Sequence, residues 1–270
     1  MTLRLQIVGL VRFSVLSPTF YTQRFQTVDE IAAHLYATDR MELRFRLFEA
    51  LCLPSLVGQN DDGFQAVVLT SKRLPKPYWE RLQALVEPYP HITCQQFWPS
   101  KHYRLLKRGF DSISPGDATH RVQFRLDDDD CLDNDFIARL RRTAEGLIPL
   151  QGDAEPFALC GNRGFYAHRT RMGVQVYDSC EHMPLSAGAT IVGKVGQRLN
   201  PYRFNHRRFA QHYNTYSDIS VPSFVRTVHG DNKSDATQMG LTRRWSRAQI
   251  DKALRKHFDL TPDFLNELLA

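Results

Sequence analysis

Val122-Gln123-Phe124-Arg125-Leu126-Asp127-Asp128-Asp129-Asp130 is the stretch that decides the architecture. From Thr119 to Leu126 the chain alternates and then runs apolar, which predicts a strand ending at four aspartates. Upstream, Leu3 to Val15, Phe64 to Leu69 and Ile92 to Phe97 are rich in Val, Ile, Leu and Phe, as strands buried on both faces are. Between them, Arg40 to Leu56 reads as an amphipathic helix, with Leu43, Leu47, Ala50 and Leu51 at helical spacing and Pro54 near its end. Tyr78 to Val86 reads as a second helix, opened by Pro77. Gln59 to Gly63 is a turn, and the polar stretch from Trp98 to Gly116 carries no assignment. Downstream, Asp135 to Gly146 is a helix with Asp133 or Asn134 as its cap.

Strand and helix thus alternate, which predicts an α/β fold with a mostly parallel central sheet flanked by helices. After residue 155 the pattern changes. Phe157 to Ala167 and Met172 to Tyr177 read as paired strands, Ala189 to Val192 and Ser223 to Val228 as further strands, and Tyr202 to Tyr213 as helical. Ser246 to Phe258 and Thr261 to Leu269 read as two capped C-terminal helices. Neither repeat nor linker interrupts the chain, so one continuous domain over residues 1–270 is expected.

With 42% hydrophobic and 24% charged residues, the chain is neither disordered nor fibrous. A net charge of +6 favours anionic partners: nucleic acid, a membrane surface touched peripherally, or phosphorylated small molecules. Lysine and arginine are spread evenly, with small clusters at Arg141-Arg142, Arg207-Arg208 and Arg243-Arg244. That distribution argues against a dedicated nucleic-acid binder, which concentrates its charge. Five widely spaced cysteines without a C-x-x-C pair fit reduced thiols in a cytoplasmic protein. Leu5 to Val11 is too short and too abruptly ended by Arg12 for a signal peptide. No run approaches the ~18 apolar residues of a membrane span.

In a parallel sheet, ligands gather outside the carboxyl ends of the strands, where the four aspartates stand. Adjacent carboxylates repel, each pair by about 1 kcal/mol in water and about 4 at an effective dielectric of ~20. A hard divalent cation (Mg²⁺, Mn²⁺ or Ca²⁺) removes that cost, and alternate positions aim two carboxylates at one ion. A solvated acidic loop is the plain alternative, and the position directly behind an apolar strand argues against it.

Arg125-Leu126-Asp127-Asp128-Asp129-Asp130, followed by Leu132 and Asp135-Phe136, resembles the D-x-D region of GT-A glycosyltransferases, and more closely the rhamnosyltransferase family. Also similar to that family are Val11-Arg12-Phe13-Ser14, Phe48-Glu49 through Leu53-Pro54-Ser55-Leu56 and Gln59, Leu74-Pro75, Gly164-Phe165-Tyr166, and His229-Gly230-Asp231-Asn232-Lys233-Ser234. The resemblance implies a GT-A domain with a nucleotide-binding half (1–150), an acceptor half (151–245) and C-terminal helices (246–270). It implies a dTDP- or UDP-sugar donor, a glycan or other hydroxyl acceptor, and a divalent metal, Mn or Mg. No nucleic-acid partner is implied.

By the same resemblance, Asp127 sits near ribose and metal, Asp129 binds the metal, and Asp128 lies at the nucleotide. The tetrad departs from a simple D-x-D, which leaves an Asp128 and Asp130 frame open. His229 would be a third metal ligand. Lys233 and Ser234 would reach the diphosphate, Arg12 and Phe13 the nucleotide, and Lys101 or Arg104 a phosphate, with His206 and Arg207-Arg208 as weaker candidates. Rhamnosyl transfer from a β-linked donor to an α-linked product inverts the sugar and needs a carboxylate base. Asp218 is the first candidate, then Glu181 and Asp178. The rivals are a non-catalytic nucleic-acid-binding protein and a metal-dependent phosphoryl-transfer enzyme. The chain has no G-x-x-x-x-G-K-[ST] phosphate loop, which weakens the second.

Overall fold

The computed structural model describes residues 2–230, 240, 242 and 244–270. The first half builds β1 (Leu5–Arg12), α1 (Val28–Leu35), α2 (Thr38–Leu47), α3 (Leu53–Val57), β2 (Phe64–Ser71), α4 (Lys76–Val86), β3 (Ile92–Phe97), α5 (His102–Asp111) and β4 (His120–Asp127). The second half adds β5 (Asp130–Leu132), α6 (Phe136–Gln151), β6 (Phe157–Gly161), β7 (Arg163–Thr170), β8 (Gly173–Cys180) and β9 (Thr190–Lys194). It closes with β10 (Asn214–Asp218), β11 (Phe224–Val228), α7 (Arg247–Phe258) and α8 (Pro262–Leu269).

The main sheet runs β10-β6-β9-β4-β1-β2-β3. Within it β9 alone is reversed, pairing antiparallel with β4 and β6, while the other neighbours pair in parallel. A mostly parallel sheet is therefore what forms, as the alternating pattern predicts. Helices cover both faces, which is why β1 and β2 are largely apolar on both sides. Leu105, Leu106 and Phe110 of α5 pack on Val8, Leu10, Val67 and Leu69. On the opposite face, Phe45, Leu82, Phe136 and Ile137 meet Ile7, Val11, Val68 and Phe124. Gly9 permits this packing: a Cβ there would lie 2.2 Å from Cζ of the Phe124 ring.

A second sheet, β5-β11-β7-β8, stands behind the carboxyl end of β4, and Phe165 and Val225 pack it against Leu254, Phe258 and Leu265 of α7 and α8. Both helices are capped as expected, by Ser246 and Thr261. Among the described residues no helix is long and apolar enough to cross a membrane. All five cysteines are free thiols.

Several elements differ from expectation. The run from Phe157 to Ala167 is two strands on two sheets. Asn162 breaks it, its N–H donating to Asp218 O at 2.8 Å and its amide to Glu181 O at 3.2 Å. The helix expected over Arg40 to Leu56 is interrupted by a π-helical turn at Phe48–Cys52, where Leu53 N–H reaches Phe48 O. Pro54 follows directly, and a ring that lacks an N–H and crowds the preceding turn is served by that widening. Tyr202 to Tyr213 holds only a 3-10 turn, His206–Gln211. Helices α1 and α5 form where none was expected, and the cap position of α6 is Asp135.

Candidate functional site

Register carries the first pair of site residues together. Arg12 and Asp127 end adjacent parallel strands and are direct partners across β1 and β4. There Asp127 Oδ1 accepts from Arg12 Nε at 2.8 Å and from Nη2 at 2.5 Å. Beyond Arg12 the backbone turns off the sheet through Ser14, whose φ of 46° lies in the left-handed region. The Ser14 hydroxyl meets Arg40 Nη1 at 2.9 Å.

These residues open onto a cleft of about 180 Å³ at the carboxyl edge of the sheet. Among the described residues five arginines line it (Arg12, Arg40, Arg44, Arg125 and Arg226), with Asp127, Asp128, Asp129, His102, Ser186 and His206. Arg44, from α2, forks onto Asp128 through Nε and Nη2, and its Nη1 donates to Asp129 Oδ2 at 2.6 Å. His229, just past the end of β11, places Nε2 3.1 Å from the same Asp129 oxygen. Thr227 Oγ1 holds the Asp129 carbonyl at 2.7 Å.

Crowded aspartates need these partners. Burial alone would raise the Asp129 carboxyl, but Arg44 and His229 more than reverse it and hold it far below the usual carboxylate range. Asp127 is lowered likewise, with Arg12 and Arg125 outweighing burial. Asp130 is the exception. Buried at 1% exposure and outside the cleft lining, it is pushed up by burial and by Asp129 and Asp127, against the pull of Arg226.

Among the described residues, no three His, Cys, Asp or Glu side chains form a metal-holding group. The donor types still suit a hard cation that arrives with its substrate. Such ions are commonly held by one or two carboxylates, water and phosphate oxygens rather than by an all-protein cage. Two donors 3.1 Å apart, Asp129 Oδ2 and His229 Nε2, fit neighbouring ligand positions on one ion.

Other expected site residues fall elsewhere. Phe13 does not face the cleft: it is 0% exposed, its ring 4.8 Å from Phe45 and 5.4 Å from Phe48. Side chains alternate along an extended chain, so Arg12 faces the cleft and Phe13 the core. Lys101 and Arg104 are exposed and do not line the cleft; His102, between them, does. His102 stacks on Phe20 at 4.4 Å and places Nε2 3.4 Å from Arg12 Nη1. Lys233 and Ser234 lie outside the described residues.

Asp218 ends β10 beside a different, smaller pocket lined by Phe136, Arg139 and Tyr216. Ser220 donates to its Oδ1 through N–H at 2.8 Å and through Oγ at 2.6 Å, and Arg139 Nε stands 3.7 Å from Oδ2. Its carboxylate is engaged by its own turn and does not reach the arginine cleft. Glu181 accepts from Tyr166 OH at 2.6 Å and Ser179 Oγ at 3.1 Å, and Asp178 from Thr242. Arg40, Arg44, Arg125 and Arg226 were not anticipated. Only opposite charge on the aspartate run could have signalled them.

At the carboxyl edge of a mostly parallel sheet, arginines and aspartates converge, a charge pattern that suits an anionic, phosphate-bearing ligand. Residues 6–241 match the family model described as "Putative rhamnosyl transferase". The chain belongs to that family of glycosyl-transferring enzymes. No curated protein matches it in sequence. Among solved structures it is similar to S. aureus TarS 1–349 in complex with UDP-GlcNAc, at 10% identity and TM-score 0.44, over 98% of this chain and 70% of that one. It is similar also to the mannosyltransferase PcManGT from Pyrobaculum calidifontis in complex with GDP-Man and Mn²⁺, at 12% identity and TM-score 0.44, over 99% and 69%. The chain spans 60% of another TarS 1–349 structure and 37% of the longer TarS chain.

Proposed function

We propose that the protein transfers a sugar, rhamnose by its family, from a nucleotide-sugar donor to an acceptor hydroxyl with the help of a divalent cation. The observation that carries this is Asp129, on the wall of a cleft that Arg12, Arg40, Arg44, Arg125 and Arg226 line, with buried His229 placing Nε2 3.1 Å from its carboxylate. Carboxylate and imidazole supply the cation's ligands, and the arginines attract the diphosphate. Arg12 and Arg44 also brace the acidic corner, since their pairing with Asp127, Asp128 and Asp129 keeps it charged and aimed when no ligand is bound. A divalent cation at Asp129 and His229, with Asp127 beside it, would supply Lewis-acid neutralisation of the leaving diphosphate. Family membership supports rhamnose, and the resemblance supports inversion. Asp218, outside the cleft, has no part in it.

A thermal-shift panel of dTDP-, UDP- and GDP-sugars, with and without Mn²⁺ or Mg²⁺, tests the proposal. A ligand that binds only the folded state raises the melting temperature by mass action. One donor should do so with the cation and much less without it. A panel in which no nucleotide sugar shifts the melting temperature would overturn it.

A further inference from the structure

We propose that Arg125 is an anion-binding residue of this cleft, its guanidinium receiving a phosphoryl oxygen of the nucleotide diphosphate. The assignment rests on the donor class given above and adds a residue to it. Arg125 sits on β4 two positions before Asp127, on the same face of the strand, about 6.6 Å further in at the usual rise. It is only 7% exposed, yet it lines the cleft. Among the described residues no carboxylate, carbonyl or hydroxyl accepts from its guanidinium, and its buried Nε has no partner.

Arg121, four residues earlier on that face, shows what a structural arginine looks like here. Its Nε likewise has no partner, but its Nη2 donates to Phe110 O at 3.2 Å and Ile113 O at 3.0 Å, outside the cleft. Arg125 has no such acceptors. What holds it is the ring of Tyr202, 4.2 Å from the guanidinium carbon, and Tyr202 is itself fixed by donating to Leu10 O at 2.9 Å. The group is therefore positioned without being neutralised.

Its surroundings work against its charge. Burial, with Arg12 and Arg226 close by, presses its pKa below the usual arginine value, although Tyr202 and Asp127 oppose this. A buried charge without a hydrogen-bonded partner is an expensive arrangement. It becomes favourable when an anion enters, because a preorganised guanidinium forms strong charge-assisted bonds to phosphoryl oxygens. The same wall carries Arg226, which donates to Ser186 Oγ at 3.0 Å, and His206. Burial together with Arg125, Arg226 and Arg207 holds His206 down at about 2, so that imidazole is neutral and the wall stays net positive. A diphosphate is the anion of choice because Arg125 shares strand and face with Asp127, beside the Asp129–His229 pair. One diphosphate can meet both the cation end and the guanidinium end.

Calorimetric titration of UDP, dTDP and GDP, their nucleosides and inorganic pyrophosphate, all with Mn²⁺, into wild type, Arg125→Met and Arg125→Lys tests this. Arg125→Met should weaken nucleoside diphosphate and pyrophosphate binding about tenfold to hundredfold and leave nucleoside binding unchanged. The ligand-free variant should also melt higher than wild type, since an unpaired buried charge is gone. Equal affinity of wild type and Arg125→Met for the diphosphate overturns the anion role of Arg125 and leaves the transferase function standing. Loss of pyrophosphate binding in Arg125→Met, in a protein whose wild type binds no nucleoside diphosphate, does the reverse. Should Arg125→Met not fold, Arg125→Lys carries the test, because a lysine keeps the charge and loses the planar fork. Weaker diphosphate binding at an unchanged melting temperature then supports the role, and unchanged binding refutes it.

Discussion

The aspartate corner at the end of β4 and the Asp218 turn at the end of β10 stand at the same carboxyl edge of one sheet, in quite different company. At the corner, Asp127, Asp128 and Asp129 are held by long side chains from distant segments, Arg12, Arg44 and His229. At Asp218 the partner is Ser220, two residues on, with Arg139 3.7 Å away. A carboxylate satisfied by its own turn is part of a loop's local structure. Carboxylates held by arginines from distant segments form a charged set that no single segment stabilises on its own.

Breaking the set should have the largest effect. Arg44→Met strands Asp128 and Asp129, 1% and 5% exposed, without their main partner. We expect a loss of about 3–5 kcal/mol, as for one partner removed from a buried pair. In a chain of this size that corresponds to roughly 6–10 °C in melting temperature. A melting temperature within 2 °C of wild type, on the order of 1 kcal/mol or less, would show that Arg44 contributes little there.

Acid should expose the same set more gently. The folded Asp129 carboxyl lies below its unfolded value of about 3.9, so on acidification the unfolded chain takes up the proton first. Its stabilisation is complete above that value and drains away as pH falls below about 4. Urea titrations between pH 6 and 2.5 should therefore show wild type losing stability at the acid end, with a shallower slope in Arg44→Met. Parallel slopes would remove Arg44 from the cause.

The smallest effect belongs to the other site. Asp218→Asn should leave nucleotide affinity unchanged and turnover within about threefold, a change worth about 0.7 kcal/mol. A hundredfold drop in turnover at constant affinity would contradict this and make that carboxylate the base the sequence suggested.

Legibility in the sequence follows the range of the forces involved. Strands β2, β3 and β4 could be read to within two residues, β2 from its apolar run and β4 from its alternation ahead of the aspartates, while β1 was drawn two residues too early and three too late. The caps of α7 and α8 were equally local. Helix α1 was missed although its signal is local, since Thr27 and Glu30 form a reciprocal capping box in T-x-x-E spacing. Helix α5 was also missed; it lacks a side-chain cap, although Leu105, Leu106, Gly109 and Phe110 fall on one buried face between Arg104, Lys107 and Arg108. At the site, Asp129 and His229 were paired across 100 residues by the family resemblance, and they lie 3.1 Å apart. Arg44 could not, because an arginine on an amphipathic helix reads as a solvated face until the fold brings it 2.6 Å from an aspartate 85 residues away. Arg125 was hidden differently, as one outward position of an alternating strand.

The account stands or falls on the acidic corner as the cation end of a nucleotide site. Calorimetric titration of the preferred nucleoside diphosphate, with Mn²⁺ and with chelator, into wild type and Asp129→Ala tests it most directly. Mn²⁺ should tighten wild-type binding at least tenfold, or about 1.4 kcal/mol, and Asp129→Ala, still folded by circular dichroism, should show no Mn²⁺ dependence. Metal-independent binding in wild type, or Mn²⁺-tightened binding that survives in Asp129→Ala, would contradict it.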